Sequence, residues 1–176
     1  MPDYSFTVVI DGDVDTSLDG LFEAGCDDAT FGSVDGVNYA DFDRTASTFV
    51  AAVASAINAI ESIPGLRVTR IEPDDLVTAS EIADRLGRTR ESVRLLISGQ
   101  RGPGSFPTPV SHLRTRNRLW RWSDVAAWTG RVDAAAVRKA QLVAALNAAL
   151  ELRAKAPDLL EDELSFVTSL EHARAS

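Results

Sequence analysis

Residues 76–99 read LVTASEIADRLGRTRESVRLLISG, a pattern typical of two short helices joined by a tight turn. Thr78 begins the first helix, because Glu81 follows it at the spacing of a capping box. Gly87 supplies the positive φ that the turn needs, and Thr89 begins the second helix. The apolar residues expected on the inner faces are Ile82, Ala83, Leu86, Val93, Leu96 and Ile97. The stretch therefore predicts a helical pair with one buried face and one polar face.

The charge of the chain is distributed unevenly around this stretch. The 176 residues include 26 acidic and 18 basic ones, which gives a net charge of -8. Residues 1–75 hold 15 acidic and three basic residues, residues 76–131 hold four acidic residues and ten arginines, and residues 132–176 hold seven acidic and five basic residues. Because the planar guanidinium of arginine suits phosphates and guanine edges, the basic middle of this acidic chain is compatible with a nucleic-acid contact.

The second helix of the pair carries its charges on the side expected to face solvent. The charged residues on that side, with the turn before it, are Arg88, Arg90, Glu91 and Arg94. A short helix, a glycine turn and a second helix with a polar front form the arrangement that places a recognition helix in the major groove. The alternative is a small helical hairpin whose basic face has only a structural role.

Residues 101–128 read RGPGSFPTPVSHLRTRNRLWRWSDVAAW and continue the basic region. We expect residues 106–110 to form one strand of a small wing and residues 119–122 to return as the second strand. We expect Ser123 to cap a short helix that follows. The arginines on and around the turn of this wing are Arg114, Arg116 and Arg118.

Residues 76–130 contain, in this order, the stretches TASEIADRLGRTRESV, FPTPV and WRWSDVAAW. With these stretches the segment resembles the small winged-helix regulators of the MerR-like superfamily, specifically the excisionase and AlpA-type prophage regulators. The resemblance implies sequence-specific binding to double-stranded DNA, with the recognition helix at residues 89–97 and a wing at residues 114–118 on the phosphate backbone or minor groove. The DNA contacts it implies are Arg88, Thr89, Arg90, Glu91, Arg94, Arg114, Arg116 and Arg118. The aromatic residues it implies for closing the small core are Trp120, Trp122 and Trp128. In this chain the segment 100–104 is longer and richer in glycine than the usual link.

The first 75 residues predict a separate acidic domain. Tyr4 to Ile10 alternate as a strand, and apolar residues at helical spacing follow as far as Gly25. Asp35-Gly36 joins two further alternating runs, which predicts a hairpin, and the stripe from Phe49 to Ile60 predicts a long helix. A last strand is predicted at residues 66–71. The order strand, helix, strand, strand, helix, strand resembles the ferredoxin-like split βαβ unit, a four-stranded antiparallel sheet with two helices on one face.

Residues 132–176 predict a C-terminal helical hairpin, so that the whole chain is α+β with domains at 1–75, 76–131 and 132–176. The first helix is expected to run from Ala134 to Ala156, and Pro157 ends it. Asp158 with Glu161 is expected to cap the second, whose apolar stripe is Leu160, Leu164, Val167 and Leu170. These stripes are buried either against the rest of the chain or against a second copy. A homodimer would double the base contacts of one short recognition helix.

No pattern in the sequence indicates an enzyme, a cofactor or a metal site. Cys26 has no histidine anywhere in the first 111 residues to act as a base, so a buried thiol is the better interpretation. Asp11, Asp13 and Asp15 have the first ligand spacings of a calcium loop, but Thr16 stands where that loop needs glycine. We therefore interpret this segment as a solvated acidic loop.

The sequence also predicts where the protein works and which partners it has. It has no apolar run long enough for a membrane helix and no secretory signal at its start, and its one cysteine suits a reducing compartment. We expect a cytoplasmic protein without membrane contact, whose partner is DNA and whose function is transcriptional regulation. The alternative is a protein-interaction module, such as an antitoxin or an autoinhibited regulator, in which the acidic N-terminal domain binds a protein partner.

Overall fold

A computed structural model of the chain describes residues 1–172, and residues 173–176 of the predicted C-terminal region lie outside it. The protein is α+β, as predicted. The strands are β1 (Asp3–Asp11), β2 (Ala29–Val34), β3 (Val37–Thr45), β4 (Arg67–Glu72), β5 (Leu76–Val77) and β6 (Trp120–Arg121). The helices are α1 (Leu18–Glu23), α2 (Phe49–Glu61), α3 (Ala79–Arg85), α4 (Arg90–Ile97), α5 (Trp122–Thr129), α6 (Ala134–Lys155) and α7 (Glu161–His172). Among these described helices, none is long and apolar enough to cross a membrane.

Four strands form one antiparallel sheet in the order β2-β3-β1-β4. The hairpin between β2 and β3 turns at Asp35 and Gly36, whose φ angles of 52° and 79° are those that an Asp-Gly turn adopts. In β4 the pairing with β1 shifts by one residue, because Val9 lies opposite Arg70 and Ile10 opposite Val68. This bulge explains why the side chains of β4 do not alternate in the sequence.

The main core lies between this sheet and α2. One face of β1 buries Phe6, Val8 and Ile10, and α2 buries a stripe that includes Val53 and Ile60. Thr48 caps α2 through its hydroxyl oxygen, which accepts the N–H of Ala51 at 3.1 Å. Cys26 lies in the same core, where burial raises the pKa of its thiol. The residues on the opposite face of the sheet are mostly exposed.

Helix α6 packs along the outer edge of β4 and shares the main core through Val143 and Leu150. The side chain of Asn147 accepts the backbone N–H of Ile71 at 2.8 Å and donates to the carbonyl of Ile71 at 2.9 Å. Arg153 donates to the carbonyl of Val68 at 2.7 Å. An edge strand leaves such groups unpaired, so α6 satisfies them and covers the edge. The apolar face predicted for this helix is therefore buried against the rest of the same chain.

Helix α7 does not begin as predicted from Asp158 and Glu161. It starts at Glu161, and the backbone N–H of Leu160 donates to the Glu163 carboxylate at 3.0 Å, so the capping pair lies two residues later. Asp158, which was expected to cap the helix, belongs instead to a short 3₁₀ turn at Ala156–Asp158. Within residues 161–170, no side chain is buried.

Helix α5 is capped from a distance. Its first residues were predicted to follow Ser123 as a cap, but α5 begins at Trp122 and Ser123 is itself buried. Asp75 accepts the Ser123 N–H at 2.7 Å and the Ser123 hydroxyl at 3.1 Å, and its carbonyl accepts the Trp122 N–H at 2.6 Å. Arg121 approaches the same carboxylate at 3.5 Å. The residue that ends the predicted first domain thus anchors the module that follows.

Candidate nucleic-acid interface

A second, smaller core holds α3, α4 and α5 together. Its buried members are Val77, Ile82, Ala83, Val93, Trp120 and Val125. The capping box that begins α3 is formed as predicted, with Thr78 and Glu81 each bonded to the other's backbone N–H. The Thr78 N–H, and then its hydroxyl, donate to the Glu81 carboxylate and lower the pKa of Glu81. Gly87 adopts a φ of 60°, which ends α3 and turns the chain into α4. The local signals of the helical pair are therefore confirmed.

Two tryptophans of this region, Trp120 and Trp128, pack and donate hydrogen bonds within the module. Trp120 is 2% exposed, and its indole N–H donates to the carbonyl of Pro107 at 3.1 Å. Trp128 donates to the carbonyl of Gly104 at 3.0 Å, and its ring lies 4.9 Å from that of Phe106. Because their polar N–H groups are already satisfied inside the module, Trp120 and Trp128 have a structural role.

The glycine-rich link at residues 100–104 approaches α4 at Gly102. Gly102 has a φ of 87°, and a Cβ at this position would lie 2.7 Å from the side chain of Leu96. The positive φ favours glycine at this position, and a larger residue would also displace the terminal methyl of Leu96. The link therefore runs past Leu96 and Trp128 at Gly102, although residues 100–103 remain exposed to solvent.

Helix α4 presents a charged face opposite its buried one. Val93 and Leu96 are buried, whereas Arg90, Glu91 and Arg94 are exposed. Thr89 was predicted as a DNA contact. Its hydroxyl oxygen accepts the Ser92 N–H at 3.1 Å, so this side chain caps the helix. The charged face of α4 is thus oriented by its cap and by its two buried residues. Arg88, at the turn, is half-buried.

Glu91 and Arg94 pair with each other on this face. The guanidinium of Arg94 donates two hydrogen bonds to the carboxylate of Glu91, at 2.6 and 2.9 Å. The pair lowers the pKa of Glu91 and raises that of Arg94, because the hydrogen bonds, and then the attraction between the two charges, stabilise both ionised forms. More than half of each side chain is exposed to solvent. The guanidinium of Arg94 is therefore already hydrogen-bonded to a carboxylate.

The predicted wing is shorter than the sequence indicates. Residues 106–110 form no strand, and β6 pairs instead with β5. The prolines at positions 107 and 109 lack the N–H groups that a ladder needs, which explains the missing strand. What remains is a bridge between Ser111 and Leu119, supported by the Val110 N–H, which donates to the Leu119 carbonyl at 2.8 Å.

The bridge closes a turn at residues 112–118 that carries the three predicted wing arginines. Arg114, Arg116 and Arg118 are all exposed. The guanidinium of Arg118 lies 5.7 Å from the centre of the Trp120 ring, so this arginine rests on a residue of the same core that holds α4. The two groups of predicted contacts, 88–94 and 114–118, are therefore both carried by one small module.

Sequence reasoning missed a second cluster of arginines beside α4. A cavity of about 600 Å³ is bordered by Arg85, Arg88, Arg101 and Arg131, together with Leu96 and Trp128. None of its lining residues is acidic among those that the structure describes. The excess of arginine over acid in residues 76–131 indicated a basic module, but the convergence of these four positions depends on how the turn, the link and the end of α5 meet.

Comparisons with known protein families, curated proteins and solved structures find no match to this chain. The role of the module must therefore be inferred from its geometry and charge. Those features are one capped helix with an exposed charged face, one short turn with three exposed arginines, and one cavity lined by four more.

Proposed function

We propose that this protein is a non-enzymatic, sequence-specific binder of double-stranded DNA, and a transcriptional regulator, that acts through a MerR-like or excisionase-like winged helix-turn-helix in residues 76–131. The observation that carries the proposal is the face of α4, where Arg90 and Arg94 project into solvent while Val93 and Leu96 are buried. A helix presented in this way fits a major groove about 12 Å wide, where arginine reads guanine edges.

The remaining arginines supply the part of the affinity that does not depend on base sequence. Arg114, Arg116 and Arg118 on the exposed turn would neutralise phosphates and release counterions. Phosphate contacts position a protein on the duplex, whereas base contacts select the site. The acidic first 75 residues would keep the rest of the surface away from the DNA backbone.

We also assign the outer parts of the chain within this proposal. Residues 1–75 would form a ferredoxin-like unit, which the strand order β2-β3-β1-β4 and its antiparallel pairing support. That fold hosts many functions and specifies none. The protein would act in the cytoplasm as a homodimer, and the exposed Phe166 and Leu170 of α7 offer an apolar surface for pairing.

The proposal is tested by selecting binding sites from genomic DNA fragments with the full chain and then measuring affinity against salt concentration. Changing both Arg90 and Arg94 to alanine removes the base-reading groups, and it should cost about 1–3 kcal/mol for each lost base contact and relax the sequence preference. Fluorescence anisotropy on selected and scrambled duplexes measures both effects.

Arg67→Ala is the matched control, because Arg67 is an exposed arginine on β4, outside the module. It should leave site preference unchanged. If the double variant binds the selected site as tightly and as selectively as the parent protein, α4 is not the reading helix and the proposal is wrong.

The acidic face of the sheet supports a second candidate, an interaction module that binds a basic partner or this chain's own arginines. Asp41 and Asp43 are exposed there, and they accept hydrogen bonds of 2.6 Å from Thr7 and Ser5. If this face is autoinhibitory, the double change of Asp41 and Asp43 to asparagine should tighten DNA binding. Equal affinity of this variant and the parent would exclude autoinhibition through these carboxylates. A fragment cut at residue 76 is a poorer test, because it lacks Asp75.

A further inference from the structure

A groove lies between the first turn of α2 and the first two turns of α6. Its volume is about 780 Å³, within the range of small-molecule sites. The apolar part of its lining is Tyr4, Phe49, Val50, Ala135, Ala136 and Leu142. Val50 is 49% exposed, so the groove leaves apolar surface in contact with water.

Two cations border this apolar surface, and none of its lining residues in the described part of the chain is acidic. Lys139 is half-buried, with its ammonium 4.5 Å from the centre of the Phe49 ring, and it donates one hydrogen bond of 3.0 Å to the carbonyl of Ser5. Arg138 lies next to it in the lining. Within residues 1–170, neither forms an ion pair.

Burial of the Lys139 ammonium away from water lowers its pKa. An ammonium has three donors, and the protein occupies one of them. A half-buried cation that lacks a counterion gains most from an anion delivered into the same apolar surroundings. The groove therefore combines a hydrophobic wall with an unmet positive charge.

We infer that this groove binds a small amphiphilic organic anion, with its apolar body against Phe49, Val50 and Leu142 and a single carboxylate at Lys139. The absence of acidic lining residues is informative here, because residues 1–75 as a whole carry 15 acidic and three basic residues. The same net negative charge disfavours ligands with several negative charges, such as nucleotides. The inference does not depend on DNA binding.

Octanoate and 2-naphthoate are the probes, and octanol is the neutral comparison. Calorimetric titration of the full chain should give one site per chain for at least one carboxylate, bound about tenfold more tightly than octanol. The two carboxylates distinguish an acyl chain from an aromatic body. Octanol binding as tightly as octanoate, or no saturable carboxylate binding at millimolar concentration, would overturn the inference.

Lys139→Met keeps the apolar stem over Phe49 and removes only the charge, so it should weaken carboxylate binding about tenfold and leave octanol binding unchanged. Lys155→Met is the control, because Lys155 is the other lysine of α6 and is exposed in its last turn. Equal carboxylate binding by the two variants contradicts the assignment.

Val50→Glu tests the groove without altering the core, since Val50 is already half exposed. The new carboxylate lies in the apolar wall and repels the ligand, so octanoate binding should be abolished while the circular dichroism spectrum remains that of the parent. Undiminished octanoate binding by this folded variant places the ligand elsewhere and overturns the inference.

Discussion

At the scale of the residue, Glu91 and Arg94 form a bidentate pair on the exposed face of α4, the face that we propose to contact DNA. Both Arg94 hydrogen bonds to Glu91 are of normal length, yet the pair is exposed and therefore screened by salt and water. A phosphate or a guanine edge offers the same guanidinium an equivalent bidentate partner. In the complex that we propose, Glu91 would compete with DNA for Arg94 and would also repel phosphates.

Glu91→Gln should therefore raise the affinity for DNA. The change preserves the shape of the side chain, releases Arg94 from its ion pair and adds one net positive charge. We expect roughly threefold tighter binding at low salt and a salt dependence steeper by about 0.9. Fluorescence anisotropy across a range of salt concentrations measures both.

Asp84→Asn makes the same charge change at an exposed position of α3. It is the control, because Asp84 forms no ion pair with another described residue. If Asp84→Asn raises the affinity for DNA less than Glu91→Gln does, the additional increase comes from the release of Arg94. Weaker binding by Glu91→Gln would mean that the Glu91 carboxylate itself reads a base, since cytosine offers it a donor.

At the scale of the element, α5 depends on a residue that lies outside the module's own helices. Asp75 is 1% exposed, and its carboxylate accepts from both the backbone and the hydroxyl of Ser123. Buried donors that lose their acceptor keep the full cost of desolvation. The same helix carries Val125 and Trp128, which pack within the module, so the cap also stabilises the surroundings of α4.

Asp75→Ala should destabilise the module by about 3 kcal/mol, because it leaves buried donors without an acceptor. Asp75→Asn keeps one acceptor oxygen and should cost less. Urea denaturation followed by tryptophan fluorescence reports this directly, since Trp120, Trp122 and Trp128 are the only tryptophans of the chain. Asp124→Ala, an exposed acidic residue in the first turn of α5, is the control and should change stability little. An equal loss for both variants would assign the effect to helix charge instead of the cap.

At the scale of the whole molecule, α6 contacts both the four-stranded sheet and α5, whereas large apolar side chains of α7 are exposed. Asn147 and Arg153 bind the edge of β4, and the first half of α6 packs against α5. In α7 and just before it, Leu160, Phe166 and Leu170 are 57–67% exposed. Exposed apolar residues that recur at helical spacing are typical of a surface that pairs with another protein.

The homodimer that we propose should therefore depend on α7. Changing Phe166 and Leu170 together to glutamate places charge in an apolar contact, and it should convert a dimer to a monomer without loss of helix content. Sedimentation velocity gives the mass, and circular dichroism gives the fold. Ser165→Glu adds charge at an exposed position and should leave the mass unchanged. A parent protein that sediments as a monomer would contradict the proposed homodimer.

The features that the sequence predicted correctly depend on interactions between residues that are close together in the chain. The capping box of Thr78, the turn at Gly87 and the hairpin at Asp35-Gly36 each depend on backbone angles and hydrogen bonds within about four residues. The same holds for the division of α4 into a buried and an exposed face, which follows from its period. For that reason Arg90, Glu91 and Arg94 could be assigned to the exposed face from the sequence.

The features that the sequence predicted wrongly involve partners distant in the chain. Ser123 looked like a cap, but the acceptor for its N–H is Asp75, 48 residues earlier. Trp120 and Arg121 looked like the return strand of a wing, yet they pair with Leu76 and Val77. In both cases a local pattern left two outcomes open, and the distant partner decided between them.

The amino-acid sequence by itself determined the helices, the turns, the α+β class and the concentration of arginine in residues 76–131, because these depend on near neighbours and composition. Only the tertiary structure decided that α6 covers the edge of β4 and that Arg85, Arg88, Arg101 and Arg131 meet at one cavity. It also placed the ammonium of Lys139 over the ring of Phe49. Burial and pairing of charges are properties of the packed chain, where groups separated by many residues compete for the same space and the same water.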